Sequence, residues 1–184
     1  YRYAIIFCIL ALACKPTRNP NSKKFIDHSY CIKLKADKKT YDYSCAIGFT
    51  FPKVLPFTDI EGNVHQTFDN SILNLIHLAK TDDPKCQEES AFINELQNSL
   101  KDCVHIYSFY PENKSTVEQF KSKYQLNYNF ISDGITLIQD STDHMPFNYP
   151  CSILLNKQNQ VIGIYNEINA NNYHIVHNLI ESTC

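Results

Sequence analysis

The chain has 184 residues, 20% of them charged and 43% apolar, with a formal net charge of -2. That length fits one domain with an appendage, the composition is that of an ordinary globular protein, and the charge gives no footprint for nucleic acid. The eight cysteines are many for a reducing compartment, and none stands with histidine at zinc-ligand spacing, so neither a metal nor another cofactor is called for.

The first residue is Tyr rather than Met, and the expectation is of further chain upstream. Arg2 precedes an apolar run from Ala4 to Ala13 that ends at Cys14, and a polar stretch containing Pro16 and Pro20 follows. A basic start, a short apolar core and a small residue before the break describe an export signal over residues 1–14. The run is too short to cross a bilayer, which takes about 20 residues. Ala13-Cys14 resembles a bacterial lipoprotein cleavage site, which implies acylation of Cys14 and a lipid anchor. Residues 15–24 read as a linker and 25–184 as one domain.

Tyr30–Ala36 and Tyr41–Ile47 have strand composition around Asp37-Lys38-Lys39-Thr40, the signature of an N-terminal hairpin. Val54–Phe57 and Val64–Phe68 flank a turn in which Gly62 suits a positive φ. Ser71–Ala79 reads as a buried strand. A helix then opens with Asp83 as N-cap and Pro84 at its first position. Glu88 and Glu89 favour the positive end of its dipole, Phe92, Ile93, Leu96 and Leu100 form its apolar face, and it should end near Lys101. Val104–Phe109 is a second core strand. Ser115-Thr116-Val117-Glu118 is a capping box opening a helix with Phe120 and Tyr124. Ser152–Leu155 and Val161–Tyr165 are strands, and Tyr173–Ile180 is a last helix with Ile175, Val176, Leu179 and Ile180 facing in. The resulting order, β-α-β-α-β-β-α behind a β extension, predicts an α/β fold with a sheet covered on both faces.

Three local segments, in this order, resemble the thioredoxin superfamily, in particular its TlpA-like and AhpC/TSA-like redoxin branches. Phe57-Thr58-Asp59-Ile60-Glu61-Gly62 is similar to the entry hairpin, Asp83-Pro84-Lys85-Cys86 occupies the place of the Cys-x-x-Cys motif, and Tyr149-Pro150-Cys151-Ser152 is similar to the cis-proline strand. The resemblance spans roughly Pro52 to Glu181. It implies a thioredoxin-like fold, a cis peptide before Pro150, and a loop there that faces the start of the first helix. The departure is at Asp83, which stands where the nucleophilic cysteine belongs, while Cys86 matches the second cysteine.

A dithiol oxidoreductase needs one thiol to attack and a second to resolve, and Asp83 cannot attack sulfur. Cys86, near a helix N-terminus, is favoured as thiolate by the dipole but opposed by Asp83 and by burial. Peroxiredoxins also keep a single cysteine here, but they pair it with an arginine, and the only arginines are Arg2 and Arg18. A Sco-type copper site would use His144 and Met145, which lack that family's spacing. Six cysteines remain after Cys8 and Cys14, and sequence cannot choose their pairing. Topology offers Cys31 with Cys45 across the hairpin and Cys103 with Cys184 at the sheet end remote from the motif. Cys86 and Cys151 are left as a displaced redox pair, a structural disulfide, or two buried free thiols. His77 and His105 fall in core strands, and His174 and His177 on the last helix, as satisfied or surface histidines.

Two functions follow. One is a redoxin-like thiol enzyme variant using Cys86, with Cys151 as a weaker candidate. The other is a catalytically silent module that binds an exported protein or peptide by strand addition at Tyr149 and Pro150, beside Asp83. Both place the chain in the periplasm or cell envelope, anchored by lipid and free of nucleic acid.

Overall fold

In the computed structural model, residues 33–35, 41–142 and 146–184 are described. The predicted signal, Cys14, the linker, Cys31, and His144 with Met145 lie outside them. β1 (Lys33–Leu34) pairs antiparallel with β2 (Tyr41–Asp42), Lys33 opposite Asp42. The rest of the expected hairpin differs: Ser44–Ala46 is a short 3-10 helix rather than strand, and it buries Ala46.

β3 (Phe57–Thr58) and β4 (Val64–His65) form the predicted small hairpin, and Gly62 takes φ 94° in its turn. β5 (Leu73–Leu78) follows, then α1 (Pro84–Ser99), β6 (Val104–Phe109), α2 (Lys114–Tyr124), β7 (Asn129–Ile131), α3 (Ile135–Ser141), β8 (Cys151–Leu155), β9 (Val161–Tyr165) and α4 (Tyr173–Thr183). The five-stranded sheet runs β7-β6-β5-β8-β9. β5 is parallel to β6 and antiparallel to β8, so the sheet is mixed.

Because strand side chains alternate, each strand feeds two cores. Leu73, Leu75, Val104, Ile106 and Leu154 join α1, α2 and α4 on one face. Ile76, Leu78, Tyr107, Phe109, Ile153 and Leu155 join α3 and the segment from Tyr43 to Phe68 on the other. A segment from outside the sheet meets each edge strand at one point. The Gly48 N–H donates to Val161 O at 2.7 Å beside β9, and the Ile60 N–H donates to Phe130 O at 2.9 Å beside β7.

Three expectations needed correction. α2 is capped by Asn113, which accepts from the Thr116 N–H at 3.1 Å; Asn caps as well as Ser, so the helix starts ahead of the Ser115 capping box. Glu118 pairs instead with Lys114 at 3.7 Å. The predicted order lacks β7 and α3: three strand residues and a seven-residue helix with β-branched Ile135, Thr136 and Ile138 carry little propensity, and α3 is held by burial of Ile135 and Ile138. On α4, Val176 and Ile180 are buried as predicted, but Ile175 is 54% exposed.

Candidate functional site

The site lies where β5 runs into α1 and the Pro150 loop enters β8. At the α1 end, Asp83 adopts the extended N-cap conformation, and its Oδ1 accepts from the Lys85 N–H at 2.8 Å and the Cys86 N–H at 3.2 Å. Pro84 lacks the N–H that would otherwise need a partner. The connection before it is braced: the Thr81 N–H and hydroxyl donate to Glu112 Oε1 at 2.9 and 3.1 Å. Lys85 reaches Glu167 at 3.2 Å.

Across from this end, the Tyr149-Pro150 peptide is cis. The Lys80 ammonium stands 4.7 Å from the centre of the Tyr149 ring, a cation–π contact that joins the two walls. A depression of about 420 Å³ opens beside Tyr149, lined also by Lys80, Pro111, Asp133, Ile135 and Gln139.

Cys86 is fully buried and free. Its Sγ accepts from the Lys80 N–H at 3.4 Å, which favours thiolate. Burial opposes this and wins, with Asp83 and Glu89 adding to it, and the thiol is pushed up to about 12. Cys151 is also buried and free, and burial raises its thiol further. The two belong to opposite faces of the sheet: Cys86 packs with Leu75 and Leu154, Cys151 with Leu78 and Ile153. Of the three arrangements left open by the sequence, the structure has two buried free thiols, because strand alternation turns Cys151 away from α1.

Cys103 and Cys184 are joined by a disulfide, their Cα atoms 5.1 Å apart, at the sheet end away from this site. Cys45 is disulfide-bonded as well; its predicted partner, Cys31, is outside the described residues. Among the described residues no group of three or more His, Cys, Asp or Glu side chains could hold a metal ion.

Sequence reasoning missed a buried polar cluster behind the site. His77, Glu89, Ser108 and Ser152 have at most 1% exposure. Glu89, expected to favour the positive end of the helix dipole, lies buried on the inner face of α1. His77 lies in a core strand as expected, but its Nε2 has no hydrogen-bond partner among the described residues. A histidine and serines amid apolar strand residues were the available signal; their shared register was not legible.

No family model and no curated protein matches the sequence. Solved structures do match in shape. The thioredoxin domain of a thiol-disulfide oxidoreductase from Bacteroides vulgatus superposes with TM-score 0.63 at 16% identity, covering 73% of this chain and 98% of that one. A secreted disulfide oxidoreductase of Mycobacterium tuberculosis gives 0.58 at 14%, covering 70% and 95%. The bacterioferritin comigratory protein of Xanthomonas campestris, described with alkyl peroxide reduction, gives 0.60 at 14%, covering 72% and 98%. Identities this low speak for architecture alone, and with the cis-proline strand opposite the start of α1 they establish that the chain has the thioredoxin-like fold.

Proposed function

We propose that this chain is an exported thioredoxin-fold module that holds an extended polypeptide at its Tyr149-Pro150 groove and does not turn over disulfides. The observation that carries this is the state of the motif. Asp83 has its carboxylate committed to the helix end, and Cys86 is buried with a thiol raised to about 12. The nucleophile of a thiol exchange must be an accessible thiolate, and neither motif position supplies one. What remains is the groove, where an extended chain would add to the backbone at Tyr149 and use the Tyr149 ring beside it. Export and a lipid tether at Cys14 complete the proposal; the Cys103–Cys184 disulfide fits an oxidising compartment.

The first test is reduction of insulin by the wild type and by Cys86→Ala. No turnover by either is expected. Turnover that is lost in Cys86→Ala would overturn the silent reading and favour the thiol-enzyme variant. Binding is tested with an unfolded, carboxymethylated polypeptide as the probe. Tyr149→Ala should weaken its capture about tenfold, in the range of an aromatic anchor; capture unchanged by Tyr149→Ala counts against the groove.

A further inference from the structure

The connection from β7 to α3 carries an acidic residue to the groove on a fixed backbone. Asp133 has φ 51°, in the left-handed region. Its N–H donates to Glu112 O at 2.9 Å, and the Gly134 N–H donates to Tyr110 O at 2.8 Å, so both residues are tied to the chain that leaves β6. The turn has no slack on its inner side: a Cβ at Gly134 would stand 2.7 Å from Ile131 Cγ2 and 2.9 Å from Phe109 Cδ1. Asp133 itself is exposed. Aspartate adopts such a φ more readily than most residues, but asparagine does so too, so the turn does not by itself require a charge.

The surroundings give the charge a use. Asp133 lines the depression of about 420 Å³ that Tyr149 also lines. Pro111 and Ile135 bring apolar surface to it, and Gln139 a polar group. Among the described residues the Asp133 carboxylate has no ion pair or hydrogen bond. The Lys80 ammonium is already engaged with the Tyr149 ring, 4.7 Å from its centre. Neighbouring ammonium groups are taken by other carboxylates, Lys85 by Glu167 at 3.2 Å and Lys114 by Glu118 at 3.7 Å. Lys80 is thus left against Asp82, Asp83, Glu112 and Asp133, and the end of the molecule that holds the groove is negative.

A negative depression with an apolar wall fits a cation on an aliphatic stem. The stem covers Pro111 and Ile135, and the head pairs with Asp133. An acidic side chain would find only Lys80, and would have to draw it off the Tyr149 ring. Tyr149 also connects the depression to the chain in the groove. An extended polypeptide adds at its backbone, and its ring forms one side of the depression, so a neighbouring side chain of that polypeptide enters there.

We propose that the depression is a specificity pocket for a basic side chain, arginine above all, of the polypeptide held at Tyr149-Pro150, and that Asp133 selects it. This rests on the groove reading given above. Arginine is favoured over lysine because a planar guanidinium meets both oxygens of one carboxylate.

The test is the affinity of the full chain for short labelled peptides that share one uncharged host sequence and differ at a single central residue, Arg, Gln or Glu. The wild type should bind the Arg peptide about fivefold more tightly than the Gln peptide, as one partly exposed ion pair allows, and the Glu peptide most weakly. High salt should shrink the preference. Asp133→Asn keeps a residue that tolerates the left-handed φ, so its urea midpoint should stay that of the wild type. It should bind the Arg and Gln peptides equally, with the affinity for the Gln peptide unchanged. Equal affinities on the wild type, or an Arg preference kept by Asp133→Asn, overturn the pocket. Tightest binding of the Glu peptide, lost in Lys80→Gln, overturns it as well and gives the depression to an acidic side chain. The wild-type comparison needs no variant, so it stands even where a variant misfolds. Binding of the Gln peptide that Tyr149→Ala weakens, with no preference for Arg, sinks the pocket and leaves the groove; no binding of any peptide sinks both.

Discussion

Asp83 decides the chemistry of the motif by what it binds. An N-cap bond contributes about 1 kcal/mol to its helix, and the oxygen that makes it cannot act as a sulfur nucleophile. Cys86 then sits one turn in, shielded from solvent and facing two acidic side chains. A thiol raised to about 12 is ionised in only about one molecule in 10⁴ at pH 8. Iodoacetamide at pH 8 should therefore modify Cys86 at least about 10³-fold more slowly in the native protein than in urea, with the site assigned by mass. Rapid native modification would return Cys86 to the list of working nucleophiles. Asp83 was legible as a cap because capping depends on a few neighbouring residues. Glu89 was not legible as a buried acid, because its environment depends on how α1 is rotated against β5 and β8.

At the scale of elements, α4 shows how far periodicity carries. Its apolar residues predicted an inward stripe, and the stripe is real but narrower than expected. Ile180 is fully buried while Ile175 is 54% exposed, since the helix packs its Val176–Ile180 line into the face shared with α1. Ile180→Ala should cost about 3 kcal/mol through lost burial and a cavity. Ile175→Ala should stay within about 0.5 kcal/mol of the wild type. Urea midpoints of the two variants check this, and equal losses would mean that α4 packs differently. β7 and α3 escaped the sequence because each is short and weak on its own. They persist through Phe130, Ile131, Ile135 and Ile138, which the two cores bury.

The whole molecule is closed at the end opposite the groove by the Cys103–Cys184 bridge. It links the start of β6 to the end of α4 across a sequence separation of 81. Loop-closure entropy assigns such a bridge about 4 kcal/mol, through the unfolded state. Cys103→Ser with Cys184→Ser should lower the unfolding free energy by about that much, measured in urea. A change below about 1 kcal/mol would show that α4 holds its place without the bridge. The two free thiols, Cys86 and Cys151, lie toward the groove end.

The amino-acid order alone carried the core strands and the start of α1, because these follow from local composition and capping; the cis-proline strand came from the resemblance to the thioredoxin superfamily, and the Cys103–Cys184 pairing was one that the expected topology offered. The order also carried Asp83 at the position where the resemblance expects a cysteine, which is a matter of identity. Tertiary structure alone decided three things. It placed Cys86 and Cys151 on opposite faces of the sheet, it set His77 between Ser108 and Ser152, and it turned Glu89 inward over that row. Each depends on strand register or helix rotation across distant segments, and those are fixed by packing between elements rather than by the pattern within any one of them.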